Sequence, residues 1–181
     1  MRFNSTEYLD CYKQDYTYPR IHDAIVEMIA EYGKEMCGVD LCCSHGLLGQ
    51  RLMRWGYGMI GIEGDAKAIA NAANVIDMDI FHVKITPATI DKVKEIIFKA
   101  KAKFIVARRC LPELFGNDLE FGAVFFKEMH SIGIKEVFLE GRIPTKNAVN
   151  ALSNIEAEIK LISEYYKVKA KYGNLAYLIA K

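Results

Sequence analysis

The chain has no long apolar run and almost no net charge, and each lack removes a class of function. No stretch approaches the roughly 20 consecutive apolar residues that a bilayer-spanning helix needs, and the N-terminus has no signal-peptide apolar core. The expectation is a cytoplasmic protein with no membrane partner. Lysine and arginine number 24 against 23 acidic residues, a formal charge of +1, so no global field draws the chain to nucleic acid. Nucleic acid is therefore not indicated by charge, although a local basic patch stays open. The five cysteines are odd in number and show no C-x-x-C spacing, which reads as reduced thiols rather than a disulfide framework. Cys42, Cys43 and His45 stand close together, but neighbouring side chains at a strand end point in opposite directions. No second ligand pair follows at zinc spacing, so no metal is expected. Internal repeats, low-complexity stretches and flexible linkers are also missing. With 181 residues, 51% of them hydrophobic, the chain can bury one sizeable core but not two full domains, so one domain over 1–181 is expected.

What is present is a strand–loop–helix–strand pattern with an acid at each strand end. Gly38 to Leu41 is an apolar strand with Asp40 near its end, and a small-residue loop through Ser44 and Gly46 leads into a helix; the strand Met59 to Ile62 then ends at Glu63. Glu63 lies 23 positions after Asp40 (63 − 40 = 23). Nucleotide-binding α/β folds place an acid about 20 residues beyond their first turn, where it accepts hydrogen bonds from ribose hydroxyls. Cys42 and Ser44 stand where the first two glycines of a G-x-G-x-x-G fingerprint would be, which argues against a bulky pyrophosphate. Gly46 is the residue expected to need positive φ or close ligand approach.

These two segments resemble the motifs of the class I, Rossmann-like S-adenosylmethionine-dependent methyltransferases. Asp40 to Gly46 is similar to the family's first motif in a degenerate form, and Ile60 to Asp65 to its second. The resemblance implies S-adenosylmethionine as cofactor, with Asp40, Cys42, Ser44, His45, Gly46, Glu63, Gly64 and Thr86 around it. Thr86 enters because the family usually has an acid after strand three that meets the adenine, and here the strand runs into Ile85-Thr86-Pro87. The implied function is methyl transfer to an acceptor the sequence does not name. The rival readings are a methyltransferase-fold module that binds cofactor or protein without catalysis, and an RNA- or DNA-modifying subunit that needs a partner chain. Oligomeric state is not encoded.

The rest of the chain alternates strands and helices, which predicts a three-layer α/β fold with a mostly parallel seven-stranded sheet. Residues 1–35 form a preface in which Ile21, Ala24, Ile25, Met28, Ile29 and Tyr32 recur at helical spacing up to Gly33; residues 36–181 form the core. In the resembled family such a preface often covers cofactor or substrate, which makes Tyr12, Tyr16, Tyr18, Arg20 and His22 lid candidates. Strands are expected near 36–43, 58–62, 80–85, 104–107 and 136–139. Helices are expected near 47–55, 65–75, 89–101, 119–132 and 146–159. Two β-rich runs, Tyr165 to Lys171 and Leu175 to Ala180, flank the turn signal Gly173-Asn174 and should close the sheet as an antiparallel hairpin. Such a hairpin separates a methyltransferase sheet from a dinucleotide-binding one.

Residues just beyond strand ends are the chemical candidates in doubly wound sheets. After strand four the sequence reads Ala107-Arg-Arg-Cys-Leu-Pro-Glu-Leu-Phe115. Arg108 and Arg109 are suited to clamp a carboxylate or phosphate, and Glu113 to take a proton from an attacking nucleophile, so all three are catalytic candidates. Only one arginine is expected to reach the site, since adjacent residues leaving a strand point to different sides. Cys110 lacks the Pro-Cys pair of the 5-methylcytosine enzymes, and no Asp/Asn-Pro-Pro-aromatic motif for a flipped base is present. Glu140-Gly141-Arg142 after strand five is either a further acceptor-facing group or an ordinary strand-to-helix turn, and His82 and His130 read as structural.

Overall fold

The computed structural model describes residues 17–32, 36–72, 77–141, 151–152 and 154–181. Its seven strands run in the order β3-β2-β1-β4-β5-β7-β6, and the chain divides into two units, Met1–Lys84 and Ile85–Lys181.

The first unit opens with helix α1 (Thr17–Tyr32), which buries His22, Ile25, Val26, Met28 and Ile29 along one stripe. Strand β1 (Cys37–Leu41), helix α2 (Leu47–Arg54), strand β2 (Gly58–Glu63), helix α3 (Ala66–Ala72) and strand β3 (Asp79–His82) follow. β1, β2 and β3 pair in parallel, with Leu41 opposite Ile62 and Glu63 opposite His82. Val39, Leu41, Ile60 and Ile62 are all buried, as expected of strands covered on both faces. That register sets the ends of β1 and β2 side by side.

The second unit contains α4 (Ile90–Lys99), β4 (Phe104–Arg108), α5 (Leu111–Phe115), α6 (Leu119–Ser131), β5 (Glu136–Glu140), α7 (Ile155–Ile162), β6 (Tyr166–Tyr172) and β7 (Leu175–Ala180). β4 and β5 are parallel with Arg108 opposite Glu140, whereas β7 pairs antiparallel with both β5 and β6. Gly173 turns the hairpin at φ +57, the left-handed conformation for which glycine has no steric cost. A cluster of rings, Phe115, Phe121, Phe125, Phe126 and Tyr166, fills the space beneath α5, α6 and the start of β6, with neighbouring centroids 5.2 to 6.4 Å apart. Asp118 and Asn154 cap α6 and α7 by accepting from the N–H groups of Phe121 and Ala157.

The antiparallel hairpin and the seven strands agree with the sequence reading, but several boundaries differ. β3 ends at His82 rather than near residue 85, as an edge strand with an exposed face that turns away ahead of Pro87. The segment Leu111–Phe115 is helical, with Pro112 in the first turn, where its missing N–H costs nothing. The helix expected from residue 146 spans Ile155–Ile162; residues 142–150, with Arg142, lie outside the described residues, as do Gly33, Tyr12 and Tyr16. His22 is buried, which removes it from the lid candidates. Among the described residues no helix is long and apolar enough to cross a membrane.

Gly141 follows β5 where the chain meets the start of α7. A Cβ there would stand 2.8 Å from the Cα of Ile155, and the Gly141 N–H and C=O are both bonded to Asn174, so neither side can give way. Gly141→Ala is expected to lower the unfolding free energy by about 1–3 kcal/mol through overpacking, read as a lower urea midpoint at unchanged slope.

Candidate functional site

In the first unit the site is built around one carboxylate. Glu63, the last residue of β2, accepts from the Ser44 N–H at 2.7 Å through Oε2, and from the N–H groups of Gly64 and Asp65 at 2.8 and 2.9 Å through Oε1. Three backbone donors therefore fix its orientation. A carboxylate offers about four lone-pair sites, so one acceptor position is left. Glu63 is half-buried, and Gly64 and Asp65 are exposed, so that position is within reach of a ligand. His82, opposite Glu63 on β3, is exposed and places Nε2 3.3 Å from the Gly64 carbonyl. The sequence reading set His82 within strand three, where it is the last residue, opposite Glu63 through the β2–β3 register.

The loop between β1 and α2 has left-handed backbone at alternate residues: Cys42 at φ 51, Ser44 at φ 52 and Gly46 at φ 71. Gly46 behaves as its residue type predicts. Cys42 and Ser44 keep the conformation that glycine would supply at the same positions, at a cost of about 1–2 kcal/mol each. The turn is closed by the Gly46 N–H on the Cys43 carbonyl at 2.8 Å, and is tied to β2 by the Cys43 N–H on the Ile62 carbonyl.

Side-chain placement divides the expected cofactor residues. Cys42 and Ser44 are half-buried, with the Ser44 N–H on Glu63, whereas Asp40, His45 and Gly46 are buried. The His45 ring lies with Nδ1 3.0 Å from Ser44 Oγ, so it supports the loop from inside. Cys43 is buried as well, and β2 needs glycine at position 61 because a Cβ there would stand 2.5 Å from Cys43 Sγ. Burial, with the Asp40 and Glu63 carboxylates adding to it, pushes the Cys43 thiol far above its ordinary value. None of the four described cysteines is in a disulfide, and among the described residues no group of His, Cys, Asp or Glu is arranged to hold a metal.

In the second unit, Arg108 and Arg109 converge on Glu140 rather than diverging. Arg108 Nε lies 2.6 Å from Glu140 Oε2, and Arg109 Nε lies 2.5 Å from Oε1. The opposite-sides expectation fails because Arg109 has left the strand: its φ is 54, and its N–H donates to the Glu140 carbonyl at 2.7 Å. Cys110 is buried, and Glu113 is exposed on α5. Thr86 sits in a local turn, its N–H and Oγ1 both 3.0 Å from Thr89 Oγ1. His130 packs against the rings of Tyr165 and Tyr166.

No protein-family model matches the sequence, and no curated protein matches it. Solved structures do. Magnesium protoporphyrin IX methyltransferase (ChlM) from Synechocystis PCC 6803, crystallised with S-adenosylhomocysteine, matches all of this chain and 90% of its own at 11% identity and a TM-score of 0.67. The chain has the fold of the class I, Rossmann-like methyltransferases. The PH0226 protein from Pyrococcus horikoshii OT3 matches 99% of this chain and 100% of its own at 14% identity and a TM-score of 0.67. The bifunctional kinase-methyltransferase WbdD matches 89% of this chain at 13% identity and a TM-score of 0.67, and this methyltransferase-fold chain spans 39% of its length.

Two outcomes follow from the loop. Ser44→Gly relieves a left-handed residue, so it should keep stability within about 1 kcal/mol of the parent or raise it, while Gly46→Val should lose about 1–2 kcal/mol or more, both read by urea unfolding. The raised Cys43 thiol stabilises the fold fully below the thiol's ordinary value of 9.0, and that contribution is lost as pH rises above it, because only the unfolded chain then releases the proton. Cys43→Ala should flatten the decline in stability between pH 9 and 10.5 by close to one proton.

Proposed function

We propose that the protein is an S-adenosylmethionine-dependent methyltransferase whose cofactor is recognised in the first unit. The observation that carries this reading is the Glu63 carboxylate, held by three backbone N–H groups at the end of β2 with an acceptor position left for a ribose hydroxyl. A second hydroxyl would take the place of one amide. The Ser44 N–H is the one to yield, because the other two belong to the short turn that carries Glu63 itself. Cys42 and Ser44 stand where a dinucleotide fold has the glycines that admit pyrophosphate, which favours a ligand without phosphate. ChlM, a full-length match in fold, is crystallised with S-adenosylmethionine and with S-adenosylhomocysteine, which supports the same ligand here.

When bound, the cofactor would supply a methyl group already activated by a positive sulfur. The chain's own residues would then have positioning to do: Glu63 would hold the ribose and the 42–46 loop would meet the amino-acid end, while His82 borders the turn at Gly64. Arg108, Arg109 and Glu113 belong to the acceptor side. Glu113 is an exposed group able to receive a proton, and no metal is assigned a role.

One observation favours the rival module without catalysis: Asp40, His45 and Gly46 are buried, so fewer loop groups than expected meet a ligand. Methyl transfer from labelled cofactor to fractionated cell extract decides between the two. Binding is tested separately. Glu63→Ala should weaken S-adenosylhomocysteine binding by about 1.5–3 kcal/mol, the value of hydrogen bonds to a charged group, in calorimetry on a variant shown to be folded. NAD should give no heat under the same conditions; tight NAD binding would overturn the cofactor assignment.

A further inference from the structure

Three lysines meet at the base of β4 and β5, the strand ends away from Arg108 and Glu140. Lys103 and Lys135 immediately precede Phe104 and Glu136, which the parallel register sets opposite each other, so the two lysines also stand side by side. The Lys103 carbonyl ties them together, accepting from the N–H groups of Lys135 and Glu136 at 2.8 and 3.3 Å. Lys101 lies two residues earlier, on the turn that leaves α4. Lys101 and Lys135 are exposed and Lys103 is half-buried. Among the described residues none of the three is in an ion pair. The acids close to them in sequence are engaged elsewhere: Glu95 holds Lys99, and Glu136 accepts from the Tyr177 hydroxyl.

Both placements are locally unfavourable. Like charges directly opposite each other on adjacent strands repel. Helices α4 and α6 end in the same pair of bonds, Lys101 N–H on the Phe98 carbonyl with Ala102 N–H on Ile97, and Gly133 N–H on His130 with Ile134 N–H on Met129. The left-handed residue of this ending is Gly133 at φ 92 in α6 but Lys101 at φ 53 in α4, where a Cβ is disfavoured. The helix ends offset only part of the charge. Each C-terminus carries about −0.5, so two of them leave about +2 of the three lysine charges (3 − 2 × 0.5 = 2). In a chain with a formal charge of +1, that is a local excess on one small surface. Phe98, one turn before Lys101, adds an aromatic ring that is 69% exposed.

We propose that the base of β4 and β5 binds single-stranded nucleic acid, with Lys101, Lys103 and Lys135 on its phosphates and Phe98 stacked on a base. Charge complementarity selects a polyanion, and the exposed ring selects one whose π-faces are open. Bases stacked inside a duplex leave no face for Phe98. An anionic membrane is held by an apolar face as well as by charge, and the apolar contribution at this end of α4 is the single Phe98 ring. The surface belongs to the second unit and does not rest on the methyltransferase reading.

The test follows the fluorescence anisotropy of a short labelled oligouridine titrated with the full chain at a series of salt concentrations. Binding should be saturable at low salt, and the logarithm of its constant should fall against log salt with a slope of about −2, from three phosphates at about −0.7 each. Lys101→Gly relaxes the left-handed backbone and Lys135→Gln removes the like-charge opposition, so both variants should fold at least as well as the parent. Each should weaken binding and reduce the slope by about 0.7, a change that a merely structural lysine would not produce. Phe98→Ala should weaken binding by about fivefold or more, with the slope unchanged. No saturable binding, or a slope that both lysine variants leave intact, overturns the proposal. Full affinity in Phe98→Ala, or equal competition by a duplex, overturns the single-stranded assignment and the proposal with it. Tighter association with phosphatidylserine vesicles than with oligouridine does the same and makes a membrane the occupant.

Discussion

The parallel register that sets Leu41 beside Ile62 is the constraint on which the first-unit site depends. It brings two backbone turns to one edge, the loop after β1 and the turn after β2, and each has N–H groups that no strand partner can take. The Glu63 carboxylate meets both, accepting from Ser44 on one side and from Gly64 and Asp65 on the other. The half-buried Ser44 N–H would be costly without a partner, so this single acid holds the loop to the sheet. Losing the acid would loosen the loop together with the site.

Much of this was legible in the sequence. Two apolar strands 23 positions apart at their acids, a glycine before a helix and a Gly-Asn turn between β-rich runs encode local preferences that tertiary packing did not override. The conformation of the loop was less legible. Residue type predicts positive φ at Gly46 but not at Cys42 or Ser44, and both adopt it, because the close passage between β1 and α2 constrains the backbone whatever the side chain. Burial of Asp40 and His45 was likewise not readable, since it depends on what packs behind the loop.

The arginine pair shows where a rule of alternation stops applying. Successive side chains diverge only while the backbone stays extended, and the strand ends at Arg108. Arg109 is the first residue beyond it, and a left-handed φ returns its side chain to the partner of Arg108. That partner, Glu140, lies 32 positions further on and is fixed by the β4–β5 register, which places it opposite Arg108. No local pattern encodes a pairing of that range. The end of β3 was misplaced for a different reason: it is an edge strand with mostly exposed residues, and its apolar pattern is too weak to mark its own end, although His82 does lie within it.

Glu63 and Glu140 both end their strands and are held by different kinds of donor. Glu63 accepts from three neutral backbone N–H groups. Glu140 is buried and faces two guanidiniums, with Arg109 Nε donating to its Oε1. Two acids at equivalent places in one sheet thus have different surroundings, and shared architecture at 9–14% identity leaves substrate choice open.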